Sequence, residues 1–319
     1  MAAAITLDRV LCPVDFSEHS QRALRHALAI ARRNDSELTV LHVEDSMKTA
    51  ARSEMSLHTP ALGSPESELM AFLDATQHGD FPNVTVAVRS GNAVESIISQ
   101  AEHDSSDLIV MGTHGRSGLR AILGSVTERV LREAPCPVLT IPPSAKDPAE
   151  AYKPFNPILC ASDFSPSCRK ALSVALDIAQ EGDARLILLH ALQVPANDSG
   201  LMPLQPVIFD PIDRTEWRRE TLARLNAAWP GDASLRCRPE AIVVEGNPSE
   251  TILRVAEDQH VGLIVMGVES RGAIDRMLFG STTRNVIRAA RCPVLSVRAD
   301  KSGAAWIAAP DRAHQPLGA

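Results

Sequence analysis

The residues best suited to chemistry form two glycine-bearing loops and two strand-end aspartates. The first loop, Gly112-Thr113-His114-Gly115-Arg116-Ser117-Gly118, leaves the apolar run Leu108–Met111 and leads to Gly124-Ser125 at the head of an amphipathic segment. Glycine lets backbone approach a ligand closely and take positive φ. A helix N-terminus adds N–H groups and the positive end of a dipole. Together these suit a phosphate chain. A purely structural turn is the competing reading, and Ser125-Val126-Thr127-Glu128 also has the spacing of a capping box. Neither GxxxxGK[ST] nor GxGxxG occurs. Asp15 closes the apolar run Val10–Val14. A carboxylate at a strand end can accept from a ligand's hydroxyl or amino groups, or it can cap the helix that follows.

Almost all of this occurs twice. Asp15-Phe16-Ser17 and Leu41-His42 return as Asp163-Phe164-Ser165 and Leu189-His190, 148 positions on. Gly91-Asn92 and Ile109-Val110-Met111-Gly112 return as Gly246-Asn247 and Ile264-Val265-Met266-Gly267, 155 positions on. Gly124-Ser125 and Cys136-Pro137-Val138-Leu139 return as Gly280-Ser281 and Cys292-Pro293-Val294-Leu295, 156 positions on. A period this long makes each copy a whole domain rather than a solenoid unit. The spacing predicts domains over 1–146 and 157–299, a linker over 147–156 and a flexible tail over 300–319.

The elements that must hold these residues alternate strand and helix. In the first copy, strands are expected over Val10–Val14, Glu37–Val43, Val84–Val88, Leu108–Met111 and Val138–Ile141. Between them a helix from about Ser17 to Arg33 carries the stripe Ala23, Leu24, Ala27, Leu28 and Ala31, which returns as Ala171, Leu172, Ala175, Leu176 and Ala179. The second copy opens its helix with Ser165-Pro166, an N-cap followed by proline at the first helical position. Further helices are expected near Glu66–His78, Arg214–Ala228, after Asn92 and Asn247, and from Ser125 and Ser281. This order predicts an α/β chain of two tandem, doubly wound, mostly parallel open-sheet domains of the Rossmann-like kind. Ligands in such sheets sit beyond the carboxyl ends of the strands, where strand order reverses.

Composition narrows the function. A chain of 319 residues accommodates about two domains. Lys+Arg 32 against Asp+Glu 39 gives a net charge of -7, which argues against a nucleic-acid binder. The longest apolar runs, around Leu186–Leu192 and Leu263–Val268, are too short to span a bilayer. The N-terminus has no signal-peptide pattern, and the six cysteines (Cys12, Cys136, Cys160, Cys168, Cys237, Cys292) have neither CxxC nor metal-ligand spacing. They read as reduced, buried thiols of a cytoplasmic protein.

On the residues Val10–Asp15 with Ser17, Leu41-His42-Val43, Gly91, Ile109–Gly115, Gly124-Ser125 and Cys136-Pro137-Val138, with their second copies, the chain resembles the universal stress protein family in its tandem form. The resemblance extends to about Arg298 and implies an adenine nucleotide alpha hydrolase-like fold. Members that bind ATP carry glycine, two residues, glycine, nine residues, then glycine with serine or threonine. The first copy has Gly112, Gly115 and Gly124-Ser125 with one residue fewer in the long gap. The second has Gly267 and Gly280-Ser281 with the full gap, but Ser270 replaces the second glycine, a cost if that position needs positive φ. The pattern therefore favours the first copy. By the same resemblance, Asp15 and Asp163 would contact adenosine, and the backbone at Val43 or Ala191 would meet adenine. Last strands commonly pair in this family, so Val138–Ile141 would face Val294–Val297, and homodimerisation is a further expectation. The cofactor implied is ATP, with Mg²⁺ entering only alongside it.

Other residues invite chemistry and have plainer readings. His114, Ser117 and Asp15 suggest a triad, but the nucleophile signature GxSxG is absent. His42 and His190 read as core histidines. Arg116, Arg120 and Arg271 either assist phosphates or are solvated loop charges. Arg32-Arg33 and Arg218-Arg219 read as exposed helix faces, and Trp217 and Trp229 as residues packing a helix on the sheet. The long loops Asp45–Pro65 and Val194–Pro211 are lids, partner surfaces or disordered. The leading expectation is an ATP-binding regulator or sensor of the stress response that acts through an unidentified protein partner, with no nucleic acid or membrane involved. A slow ATP hydrolase or nucleotidyl or phosphoryl transferase, and a scaffold with two degenerate sites, are the alternatives.

Overall fold

The computed structural model describes residues 7–44, 64–76, 83–115, 123–148, 155–193, 211–228, 237, 239–268 and 280–299. The first copy comprises β1 (Arg9–Val14), α1 (Glu18–Asn34), β2 (Glu37–Glu44), α2 (Pro65–Thr76), β3 (Val84–Ser90), α3 (Ala93–His103), β4 (Leu108–Gly112), α4 (Ser125–Glu133) and β5 (Val138–Ile141). The second comprises β6 (Ile158–Ala161), α5 (Pro166–Gly182), β7 (Leu186–Leu192), α6 (Pro211–Asn226), β8 (Glu240–Glu245), α7 (Pro248–Asp258), β9 (Leu263–Val268), α8 (Ser281–Ala289) and β10 (Val294–Arg298).

The ten strands form one sheet in the order β3-β2-β1-β4-β5-β10-β9-β6-β7-β8. All neighbours are parallel except β5 and β10, which pair antiparallel with Leu139 opposite Leu295 and Thr140 opposite Val294. The pairing of last strands implied by the resemblance is therefore present. The Thr140 hydroxyl donates to the Val294 carbonyl at 3.1 Å inside this junction. Arg298 reaches across it to the Ala134 carbonyl at 3.1 Å.

Helices cover both faces because the central strands are apolar on both. In β4, Val110 faces α1, α2, α5 and α6, whereas Ile109 and Met111 face α3, α4, α7 and α8. The stripe Ala23, Leu24, Ala27, Leu28 and Ala31, and its copy in α5, are buried as their spacing predicts. Ser17 and Ser165 cap α1 and α5, each accepting an N–H three residues on at 3.2 Å. Asn92 and Asn247 do the same for α3 and α7.

Three sequence readings need correction. Ser125 does not cap α4: Gly124 occupies the N-cap without a side-chain bond, and Ser125 stands exposed one place later. Trp217 is 42% exposed, because residues 215–220 of α6 lie in solvent and contact with the core starts at Thr221 and Leu225. Trp229 lies outside the described residues. Of the six free thiols, Cys12, Cys160, Cys168 and Cys237 are buried, but Cys136 and Cys292 are only half-buried.

The helices α4 and α8, which lead into β5 and β10, lie on one face, so the opposite face of the junction is left to α1, α5 and the chain that follows β5. Arg22 donates to the Ala145 carbonyl at 2.9 Å, and Arg25 pairs with Asp147 at 2.9 Å, fastening that chain to α1. Beneath it His26 is 2% exposed, with both ring nitrogens closed to solvent. Burial pushes this imidazole down to about 4. Asp147 and the Lys146 backbone oppose that shift, while Arg22 and Arg25 reinforce it. An unfolded histidine titrates near 6.5, so protons favour the unfolded chain. This contribution to stability is complete above about pH 6.5 and is lost as pH falls toward 4. His26→Leu should flatten that part of the decline, because it removes the buried group whose protonation favours the unfolded chain. Urea unfolding of both proteins at pH 7 and pH 5 measures the difference.

Candidate functional site

In the first copy the strand order reverses between β1 and β4, so the crevice opens beyond Val14 and Gly112. Asp15 follows β1 directly. Its Oδ1 accepts the Ser17 N–H at 3.1 Å and the Ser17 hydroxyl at 2.5 Å. This is an Asx turn, and the helix cap itself belongs to Ser17. Between them Phe16 adopts φ 64°, a left-handed conformation unusual for an aromatic residue. Its ring packs 4.2 Å from the ring of His42 and 5.4 Å from that of Phe72. His42 Nδ1 bonds the Val14 carbonyl at 2.9 Å, so the ring is satisfied, but it is half-buried rather than in the core.

The glycines meet this turn from the other side. A Cβ on Gly112 would stand 3.1 Å from the His19 carbonyl oxygen, in the first turn of α1. A Cβ on Gly115 would stand 3.1 Å from Asp15 Oδ2. The Gly124 N–H donates to the Thr113 carbonyl at 2.9 Å, and the Thr127 hydroxyl donates to the Gly112 carbonyl at 3.0 Å. The end of β4, Gly115, Asp15 and the N-terminus of α4 are thereby drawn together. Among the described residues, no side chain caps that N-terminus. Gly115 has no positive φ. The second glycine of the first loop answers to the nearby carboxylate, not to backbone handedness; its counterpart Ser270 lies outside the described residues. Pairing of β1 with β2 ends at Val14 opposite His42, so Val43 projects one residue beyond β1 at the same crevice.

The second copy repeats the turn with different chemistry. Asp163 Oδ1 accepts the Ser165 N–H at 2.9 Å and the Cys168 thiol at 2.9 Å, where the first copy has Ser20. Desolvation works against ionisation of Asp163, but the Cys168 and Ser165 bonds prevail and hold it below the usual carboxylate range. Burial first, and then Asp163, push the Cys168 thiol up to about 11. Phe164 again has φ 64°, with its ring 4.8 Å from that of His190 and Arg224 stacked 4.1 Å above it. A Cβ on Gly267 would lie 2.5 Å from the Cys168 backbone nitrogen. Around Gly280, by contrast, a Cβ meets nothing within 4 Å among the described residues, and Ser281 is exposed. Ala191 lies two residues past the β6–β7 pairing, which ends at Leu189.

Arg116, Ser117, Arg120, Ser270, Arg271 and most of both long loops lie outside the described residues. His114 is buried, its Nδ1 2.8 Å from the Thr113 hydroxyl. Among the described residues, no three His, Cys, Asp or Glu side chains group as a metal site, and no helix is long and apolar enough to cross a membrane. Sequence reading missed the left-handed Phe16 and Phe164 and their histidine contacts. The signal was present in the repeated Asp-Phe-Ser, whose middle residue is the same aromatic in both copies.

With this geometry in hand, comparison with known proteins is informative. The model of the universal stress protein family matches residues 6–142 and again 154–298. A universal stress protein of Mycobacterium tuberculosis is 29% identical over 233 residues, covering 71% of this chain and 69% of its own. One of Bacillus subtilis is 33% identical over 148 residues, covering 45% of this chain and 99% of its own, so a relative of single-copy size exists. The crystal structure of a universal stress protein from Archaeoglobus fulgidus shares the fold with a TM-score of 0.64 and 24% identity, covering 92% of this chain and 99% of that one.

The two glycine environments generate a test. Gly267→Ala forces backbone apart and should destabilise the protein by about 1–3 kcal/mol. Gly280→Ala enters open space and should cost under about 1 kcal/mol, the size of a capping change. Thermal unfolding of both variants checks the contrast.

Proposed function

The chain belongs to the universal stress protein family, and from that premise we propose that it binds ATP in the crevice of its first copy and acts as a nucleotide-dependent regulator or sensor in the stress response. The observation that carries this reading is the convergence of Asp15, Gly115 and the uncapped N-terminus of α4. Adenosine hydroxyls meet Asp15, while adenine lies along the backbone at Val43. The phosphates lie over Gly112, Gly115, Gly124 and Ser125, where glycine leaves room and the helix dipole favours negative charge. Arg116 completes the phosphate contacts, and Mg²⁺ enters only with the nucleotide.

The second crevice, with Asp163, Ala191, Gly267, Gly280 and Ser281, is the weaker site. Its carboxylate is engaged by a thiol as well as by backbone, and its loop carries Ser270 for glycine. Nucleotide binding orders the glycine loop and thereby changes a surface that a protein partner reads. The working assembly is a cytoplasmic protein with domains over 1–146 and 157–299, capable of homodimerising.

Isothermal titration with ATP tests the assignment. Asp15→Asn should weaken binding at least about tenfold, the value of a bond to a charged acceptor. Asp163→Asn should leave the tighter phase within about twofold of wild type, since distant sites are independent. Absence of any ATP heat, or equal losses in the two variants, contradicts the proposal.

A further inference from the structure

The strand junction relates the two copies by an approximate two-fold axis. Leu139 pairs with Leu295, which holds the same place in the second copy, and the pairs Val138–Ser296 and Thr140–Val294 flank it symmetrically. Over this junction, between α1 and α5, lies an apolar cavity of about 120 Å³. Its walls come in related pairs, Ile30 with Ile178 and Leu7 with Phe155, 148 positions apart, and Leu139 with Leu295, 156 apart. The axis therefore runs through the cavity. Pro148 also lines it and has no counterpart there among the described residues. It belongs to the chain after β5, which Arg22 and Arg25 hold against α1 and which reaches the cavity seven residues beyond Ile141. The same place after β10 is Ala304, within residues 300–319, which lie outside the described residues.

We propose that the chain after β10 returns to this cavity as the chain after β5 does, and that Trp306 seats its ring there. The two-fold relation carries residue 304 to the mouth, and two further residues span at most about 7 Å, so the reach suffices. Lys170 on α5 stands in the place of Arg22 on α1, a cation beside the returning chain. Trp306 is the one Phe, Trp or Tyr in 300–319, and it sits in the uncharged run Ala304-Ala305-Trp306-Ile307-Ala308-Ala309. An apolar cavity of roughly 150 Å³ holds a molecule of benzene's size. This one takes the six-membered ring of an indole and leaves the N–H at the mouth, where the carboxylates of Asp177 and Glu181 line the cavity and accept it. The occupant is thus a segment of the same chain, which fastens the second copy to the junction as the chain after β5 fastens the first. The site is separate from the nucleotide crevices and does not depend on nucleotide binding.

The test uses the full chain with Trp217→Phe and Trp229→Phe, so that Trp306 is the sole indole. Its fluorescence should be blue-shifted and protected from acrylamide, equally at every protein concentration. Ala29→Phe fills the cavity from a half-buried wall position. It should shift the emission to the red and abolish the protection. Ile178→Glu, on the opposite wall, should do the same, with circular dichroism confirming that each variant keeps the helical content of the parent. A solvent-exposed Trp306 in the parent, protection that survives both wall substitutions, or protection lost on dilution (which would place the segment on a second copy) overturns the proposal.

Discussion

The constraint on which the rest depends is the contact between the glycine that ends β4 or β9 and the first turn of the helix that follows β1 or β6. A Cβ on Gly112 would press on the His19 backbone at 3.1 Å, and one on Gly267 would clash with the Ser167–Cys168 peptide at 2.5 Å. This closeness seats the first turns of α1 and α5 against the ends of β4 and β9. The chain leaving β1 or β6 must then turn within two or three residues to reach its cap. It does so with the aromatic residue in the left-handed region, a conformation that costs of order 1–3 kcal/mol and persists only where surroundings hold it. Those surroundings are the rings of His42 and His190. The aspartate before each aromatic is thereby aimed at the crevice rather than at the helix.

A second consequence comes from the way the two copies join. Antiparallel pairing of β5 with β10 merges two five-stranded sheets into one and removes two edges that would otherwise be open to association. It also places the first copy's crevice and the second's far along the same sheet, each at its own reversal of strand order. On the α1 and α5 face the junction is roofed by the chain after β5, held by Arg22 and Arg25. The same chain buries His26 beneath it.

Much of this was legible in the residues. Repeated stripes such as Ala23-Leu24-Ala27-Leu28-Ala31 predicted their helices, and continuous apolar runs such as Leu108–Met111 predicted doubly covered strands. Ser165-Pro166 marked its helix start because cap and proline act locally. Local grammar failed where tertiary contact decided. Ser125 has the spacing of a capping box, yet Gly124 takes the cap, its N–H bound to Thr113 across the loop. Trp217 has the right stripe for packing, yet its turns extend beyond the core. The role of Gly115 could not be read from spacing, because what it meets is a carboxylate a hundred residues earlier in the chain.

The central claim is that one crevice, the first, holds adenine nucleotide. Native mass spectrometry of the full chain with a modest excess of ATP tests this most directly, since it counts bound nucleotide per chain. The account predicts a dominant species with one nucleotide per chain, and its loss when Asp15 is replaced. A chain that stays nucleotide-free, or one whose single nucleotide is lost with Asp163 and kept without Asp15, would contradict it.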